Sequence, residues 1–448
     1  MAMPDIRTAP TPPVRLPSII PAVVAAIWVA SASAILVDDG RLHGVAGILA
    51  AGLAVGCVVR RKGMVRFFAL SLGAASAVLL FAFDADPWAV PAGLERSGLF
   101  CAFLAGLYAL RSSVETSPAL EAVRARLRGL PRETRRGVML WLGWAFSVPL
   151  AIGALSVVAP LVARDADLEE RIEAATWGIR GMALPLLFSP FTVAMGLVTS
   201  MRPEVSLVTM VMIGLPLSLA AMAAPLVTGG YRSPLAAGRA VWADVGRALA
   251  PVLVLIAADL AVSGVLGWSA VETAIVLVAP FALAMAASGG RTRLRTVFDG
   301  TRIGWGRFDS EVTIFTSALV FAALATSSPT VLGAFDHAAH LVGPATLAIT
   351  AMASICVLTM IGIHMVVPAV IALSVFGPLM PDGTAVTLLC LGVLLGWSFG
   401  AMTALGSISF LVATTIFRVP ARSVAFGPNL PFMLGLCAAY AVGVVLIL

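Results

Sequence analysis

Residues 341–381 read LVGPATLAITAMASICVLTMIGIHMVVPAVIALSVFGPLMP, forty-one positions without an acidic, lysine or arginine side chain. As a single helix this run would be about 62 Å long, roughly twice the ~30 Å hydrocarbon core of a bilayer. It must therefore break. The place to turn is His364 to Pro368, which makes 355–381 a helical hairpin preceded by a separate segment. The rest of the chain has the same character, with 60% of its 448 residues hydrophobic and 12% charged, too few charges to cover a water-soluble domain.

Twelve further uncharged or nearly uncharged runs occur at 16–37, 42–59, 67–83, 97–110, 137–163, 181–201, 205–231, 248–271, 273–290, 312–335, 383–417 and 423–448. Their continuity excludes β-barrel strands, which alternate. The expected fold class is an all-α polytopic membrane protein. The net charge of +6 comes from arginines in short loops between the runs, so it reflects membrane orientation and implies no nucleic-acid partner. All five cysteines lie inside runs and no CxxC pair exists, so neither a disulfide frame nor a thiol metal site is expected. At about 22 residues the first run is long enough to span, and it reads as an uncleaved first helix. An Ala/Arg-rich composition with one lysine, Lys62, points to a GC-rich bacterial genome and an inner membrane.

Loop charge then orients the chain. Arg60, Arg61, Lys62 and Arg66 put the second loop in the cytoplasm, and with it the N-terminus; Arg111–Arg136, Arg232–Arg247 and Arg291–Arg307 follow on the same side. Three runs (137–163, 181–201, 205–231) join two of those loops, yet an odd number of crossings cannot begin and end on one face. One run must be re-entrant, with irregular backbone shielded by protein. The first is favoured because Ser147-Val148-Pro149 divides it into two half-helices, and proline removes a backbone donor at the tip. A straight 137–163 with a re-entrant 181–201 is the alternative.

The chain also repeats itself. At an offset of 218, Ala154-Leu155-Ser156-Val157 falls on Ala372-Leu373-Ser374-Val375 and Pro160-Leu161 on Pro378-Leu379. At 217, Pro203 falls on Pro420, Ser206 on Ser423, and Ser189-Pro190-Phe191-Thr192 on Gly406-Ser407-Ile408-Ser409. The first copy starts from the cytoplasm and the second from outside, so the copies are inverted, a pattern typical of secondary transporters. The expected organisation is 1–110 scaffold spans, 111–231 first repeat, 232–310 connecting spans and basic linker, and 311–448 second repeat.

This layout resembles the ion transporter superfamily, in particular its divalent anion/sodium symporters. The resemblance implies eleven spans, two hairpins entering from opposite faces, a broken helix after each and an amphipathic arm before each. Here the arm would be 117–136, the hairpins 137–163 and 355–381, and the broken helices 177–200 and 395–417. It also implies elevator-type transport. The family's hairpin tips commonly read Ser-Asn-Thr, whereas here they read Phe146-Ser147-Val148-Pro149 and Ile363-His364-Met365, so substrate and sodium coupling are not carried over.

The candidate substrate- or ion-binding residues are Ser147, Pro149, Ser189, Pro190, Thr192, His364, Gly406, Ser407 and Ser409, whose hydroxyls and freed backbone groups at helix breaks suit an anion or a cation. His364 is either a proton carrier or anion partner, or a neutral imidazole bonded to a hairpin carbonyl. Asp259 lies mid-span, where a carboxylate is costly, and is the coupling candidate; Ser263, one turn on, is its expected partner. Arg180 either draws an anion into the first broken helix or snorkels to the interface. Asp336, His337 and His340 lack a third good ligand, so no metal is expected. No Walker motif, nucleophile elbow or HExxH helix occurs, and no cofactor is expected.

The expected function is secondary active transport of a small anionic solute, coupled to H⁺ or Na⁺, by a non-enzymatic chain whose scaffold suits a homodimer. The competing readings are an intramembrane enzyme acting on lipid-linked substrates and a membrane assembly component.

Overall fold

In the lipid core every backbone polar group needs an internal partner, so apolar runs of this length fold as helices. The computed structural model describes residues 19–127, 130–162, 166–227, 231, 233–405 and 407–448, and among these it is all-α, with no strand. Twelve helices among the described residues are long and apolar enough to cross a membrane. The chain is a multi-pass membrane protein.

Four helices open it: α1 (Ile19–Val37), α2 (Gly40–Arg60), α3 (Met64–Ala82) and α4 (Ala89–Glu115). The polar residues between runs start the helices, as where Asp39 accepts the Arg41 N–H at the head of α2. Next come α5 (Pro118–Leu127), α6 (Arg132–Leu150), α7 (Ala154–Val158), α8 (Leu168–Ala183), α9 (Val193–Met201) and α10 (Leu207–Val227). Then follow α11 (Arg239–Leu266), α12 (Ala270–Ala287), α13 (Gly290–Trp305), α14 (Asp309–Ser327) and α15 (Pro329–Met360). The chain ends with α16 (Val366–Ile371), α17 (Gly383–Thr403), α18 (Ile408–Phe417), α19 (Ala421–Ala425) and α20 (Asn429–Ile447).

The course of the chain between α6 and α8 follows from the direction of those two packed helices. Arg135 at the start of α6 pairs with Glu170 at the start of α8 at 2.8 Å, and Arg136 pairs with Glu173 one turn on. Further along, a Cβ on Gly143 would come within 3.3 Å of the Gly178 carbonyl oxygen, and one on Gly181 would overlap that of Leu140. The matched residues rise together, so α6 and α8 run parallel. The chain between them must return to its starting end, and it turns at Ala151 (φ 47°). The short α7 then packs back along α6.

The same geometry recurs in the second half. Within α15, Gly343 (φ 76°, ψ 165°) breaks the helix, leaving an arm at 329–342 and a limb at 344–360. Cβ atoms built on Gly392, Gly396 and Gly400 of α17 would meet the Ala348 carbonyl, the Met352 carbonyl and Thr359 at 3.3, 3.1 and 3.1 Å. That limb and α17 are therefore parallel too. The chain returns through Gly362 (φ 99°), α16, a π turn (Ala372–Phe376) and a 3₁₀ turn (Gly377–Leu379), and Phe376 meets Phe335 of the arm.

Matched features end each copy: 3₁₀ turns at Ala159–Leu161 and Gly377–Leu379, N-caps at Asp167 and Asp382, and C-caps at Arg202 and Arg418. Helices α4 and α14, which precede the two arms, pack antiparallel through stacked Phe100 and Phe315 and a Ser97–Thr316 hydroxyl pair.

Several boundaries differ from the expectation. The first tip lies not at Ser147–Pro149 but just beyond, because Pro149, the next-to-last residue of α6, leaves the helix running to Leu150. The second hairpin begins at 344 rather than 355, since Gly343-Pro344 is the true break, and Pro368 sits inside α16 rather than in the turn. The last residues of the expected arm 117–136 belong to α6, and the run 312–335 is two helices split at Ser328, which caps α15.

The Gly181 contact generates a direct test. Gly181→Val is expected to destabilise the protein by about 1–3 kcal/mol through overpacking, read as a lowered thermal unfolding midpoint in detergent. Gly73→Val, at a site with nothing within 4 Å, should leave it unchanged.

Candidate functional site

The parallel registers bring each hairpin turn level with the break in its partner helix. Extending the Gly143–Gly178 match carries Ser147–Ala151 to the level of 182–186, and extending Thr359–Gly400 carries Gly362–His364 to that of 403–405. The two broken helices meet where the Ser398 hydroxyl of α17 donates to the Ala183 carbonyl of α8 at 3.1 Å, both buried. The first break begins at this crossing, and the second begins six residues beyond Ser398. The two hairpin–break pairs are thus separate sites on either side of one crossing.

At the first break the hydroxyls serve the backbone. Helix α8 runs into a 3₁₀ turn (Leu184–Leu187) at Pro185, the chain is irregular from Phe188 to Thr192 through Pro190, and α9 follows. Thr192 caps α9, its Oγ1 accepting from the Met195 N–H at 3.3 Å and donating to the Ser189 carbonyl at 3.0 Å. The Ser189 hydroxyl accepts from the Phe191 N–H. Ser147, on α6, bonds back to the Trp144 carbonyl, and Pro149 is buried in the same helix. One chain of bonds here was not foreseen: Trp144 Nε1 donates to Ser218 of α10 at 2.8 Å, and Ser218 donates to the Leu184 carbonyl at 3.1 Å. It satisfies a carbonyl at the break and ties hairpin, break and α10 together.

The second break is different. Helix α18 starts at Ser407 with no side-chain cap, and the Ser407 hydroxyl, in a residue only 3% exposed, has no hydrogen-bond partner among the described residues. The first N–H groups of a helix have no intrahelical acceptor and form the positive end of its dipole. Ser409, half-buried, lies in this first turn. Gly406 lies outside the described residues. Facing this level is the turn that carries His364, half-buried, whose Nδ1 accepts from the Val366 N–H at 3.3 Å. The imidazole Nδ1 thus accepts from the backbone of its own turn. Ile361 on the same turn is 71% exposed.

Two charged residues lie elsewhere. Arg180 is neither at a mouth nor snorkelling: it is 5% exposed, lies over the rings of Trp177 and Phe432 at 4.7 and 4.1 Å, and donates to Asn429 Oδ1 and the Pro428 carbonyl. No carboxylate pairs with it among the described residues. It joins α8 to the start of α20 and leaves a net positive charge inside. Asp259 on α11 is fully buried, and neither carboxylate oxygen has a hydrogen-bond partner among the described residues. Ser263 is not its partner, since its hydroxyl reaches the Trp268 carbonyl at 2.7 Å.

No three potential metal ligands cluster among the described residues; the side chain of His340 lies outside them. The five cysteines are buried free thiols. Comparison with known protein families matched no family model, and comparison with curated proteins found no match.

The asymmetry between the breaks has a measurable consequence. Thr192→Val should cost about 1 kcal/mol of stability by removing the α9 cap, with Thr192→Ser retaining it, as measured by thermal unfolding. Ser407→Ala, which removes no bond, should leave stability unchanged.

Proposed function

We propose that the chain is a secondary transporter of a small anionic solute that works by elevator-type alternating access. The observation that carries this reading is the second break: an uncapped helix N-terminus, a buried hydroxyl without a partner among the described residues, and an imidazole-bearing turn close to the same level. Such a cradle offers hydrogen-bond donors and positive potential, the combination that holds carboxylates and phosphates. The unpaired charge of Arg180 adds to the preference for an anion.

The membrane arrangement proposed here has both hairpins re-entrant, from opposite faces. Of the twelve long apolar helices, two are hairpin limbs (133–161 and 342–360), while the broken pair α8–α9 adds a crossing outside the twelve; the count is then eleven. With the basic loops inside, the N-terminus is cytoplasmic and the membrane is the bacterial inner membrane. This layout supports membership of the ion transporter superfamily on architecture alone. On α11, the enclosed Asp259 is where binding of H⁺ or Na⁺ would neutralise a costly charge, which makes it the coupling residue.

Uptake into proteoliposomes, with a panel of organic and inorganic anions under separate pH and sodium gradients, tests the reading. Concentrative uptake of at least one anion is expected. Ser407→Ala should weaken its apparent affinity about tenfold, the loss of one hydrogen bond to a charged group. Asp259→Asn should abolish the response to the driving gradient while sparing anion exchange. Absence of flux with every solute overturns the proposal.

A further inference from the structure

Helix α13 is amphipathic and lies against the end of α4, held by Ser112 on the Val297 carbonyl, Trp305 Nε1 on the Ala105 carbonyl and Arg293 on the Ser113 carbonyl. Its outer side borders two cavities of about 690 and 430 Å³, between α13, α12 and α1. They share Leu283 and Phe298 and so form one groove. The walls are apolar, with Ala284 and Ala287 on one side and Trp28 on the other, and among the described residues the only charged ones lining it are Arg291, Arg295 and Arg302.

Those arginines are spaced four and seven residues apart, so at 100° per residue all three fall within about 40° of one helix face. The same face carries Phe298, which is 58% exposed. All three are exposed, and none has an ion pair among the described residues, although Asp299 sits on the same helix. Three aligned, unneutralised cations beside an apolar slot want an occupant with a negative head and a hydrocarbon body. A second copy of the chain does not fit, because two-fold pairing through this face would set arginine against arginine.

We propose that this groove binds an anionic phospholipid, with the phosphate on Arg291, Arg295 and Arg302 and an acyl chain along Leu283, Ala284 and Phe298. Basic pockets between helices at a membrane face bind acidic headgroups in this way, each arginine contributing roughly 1 kcal/mol, or about fivefold in affinity. The site lies on α1, α12 and α13, away from the break that holds the proposed solute cradle, so it stands or falls independently of the transport reading.

The test is native mass spectrometry of the purified full chain with dioleoyl phosphatidylglycerol, and with phosphatidylcholine of the same chains. Phosphatidylglycerol should be retained at least tenfold more tightly. The triple variant R291Q/R295Q/R302Q should lose that preference, and Ala284→Trp, which fills the slot with the arginines intact, should weaken phosphatidylglycerol by a similar factor. Monodisperse gel filtration of both variants confirms that they fold. Equal retention of the two lipids by the unaltered chain, or an unchanged triple variant, overturns the proposal. So does glycerol phosphate competing at the same concentration as the lipid, since it would mark a phosphate site that needs no tail.

Discussion

Two glycine contacts hold the architecture: Gly181 set against the Leu140 carbonyl, and Gly396 set against that of Met352. At both points a helix backbone lies so close to its neighbour that a methyl group would strike it or crowd it. Within a bilayer there is little hydrophobic gain from helix association, and small residues that allow close van der Waals contact take over that role. Both contacts join parallel helices separated by few residues of sequence, so the intervening chain has no choice but to turn back. The hairpins, and the alignment of their tips with the helix breaks, follow from that constraint.

The breaks then pose a hydrogen-bond problem, because every freed carbonyl and N–H at depth needs a partner. The first break answers it with Thr192, Ser189 and the Trp144–Ser218–Leu184 chain. The second leaves its helix start without a side-chain cap and, among the described residues, its Ser407 hydroxyl unbonded. The two breaks thus differ, one closed and one open, and it is the open one that offers free donors to a ligand. A helix start without a cap is ordinarily a loss of about 1 kcal/mol, which a bound anion can offset.

Much of this was legible in the sequence, for physical reasons. The length of the uncharged runs against that of a bilayer crossing announced the membrane-spanning helices, and the paired motifs at 160–161 and 378–379 both fall in 3₁₀ turns. Turn positions were harder: Pro149 looked like a breaker but is tolerated near a helix end, whereas Ala151, an ordinary residue, takes the positive φ. Partners across helices were hidden altogether. Nothing local tells that Ser218, one isolated hydroxyl in an apolar run, meets Trp144, or that Arg180 reaches Asn429 some 249 positions away. The Asp259–Ser263 pairing failed for a related reason, since a nearer carbonyl at Trp268 claims the serine.

The opposed hairpins are tested most directly by side-specific labelling. Single cysteines at Ala151 and Ile361, both exposed turn residues, would be introduced into a chain whose five buried native cysteines have been replaced. A membrane-impermeant maleimide is then applied from each side in turn. Cysteine at 151 should react from the side that carries Arg60–Arg66, and cysteine at 361 from the opposite side. Reaction of both from the same side would contradict the inverted arrangement on which the account rests.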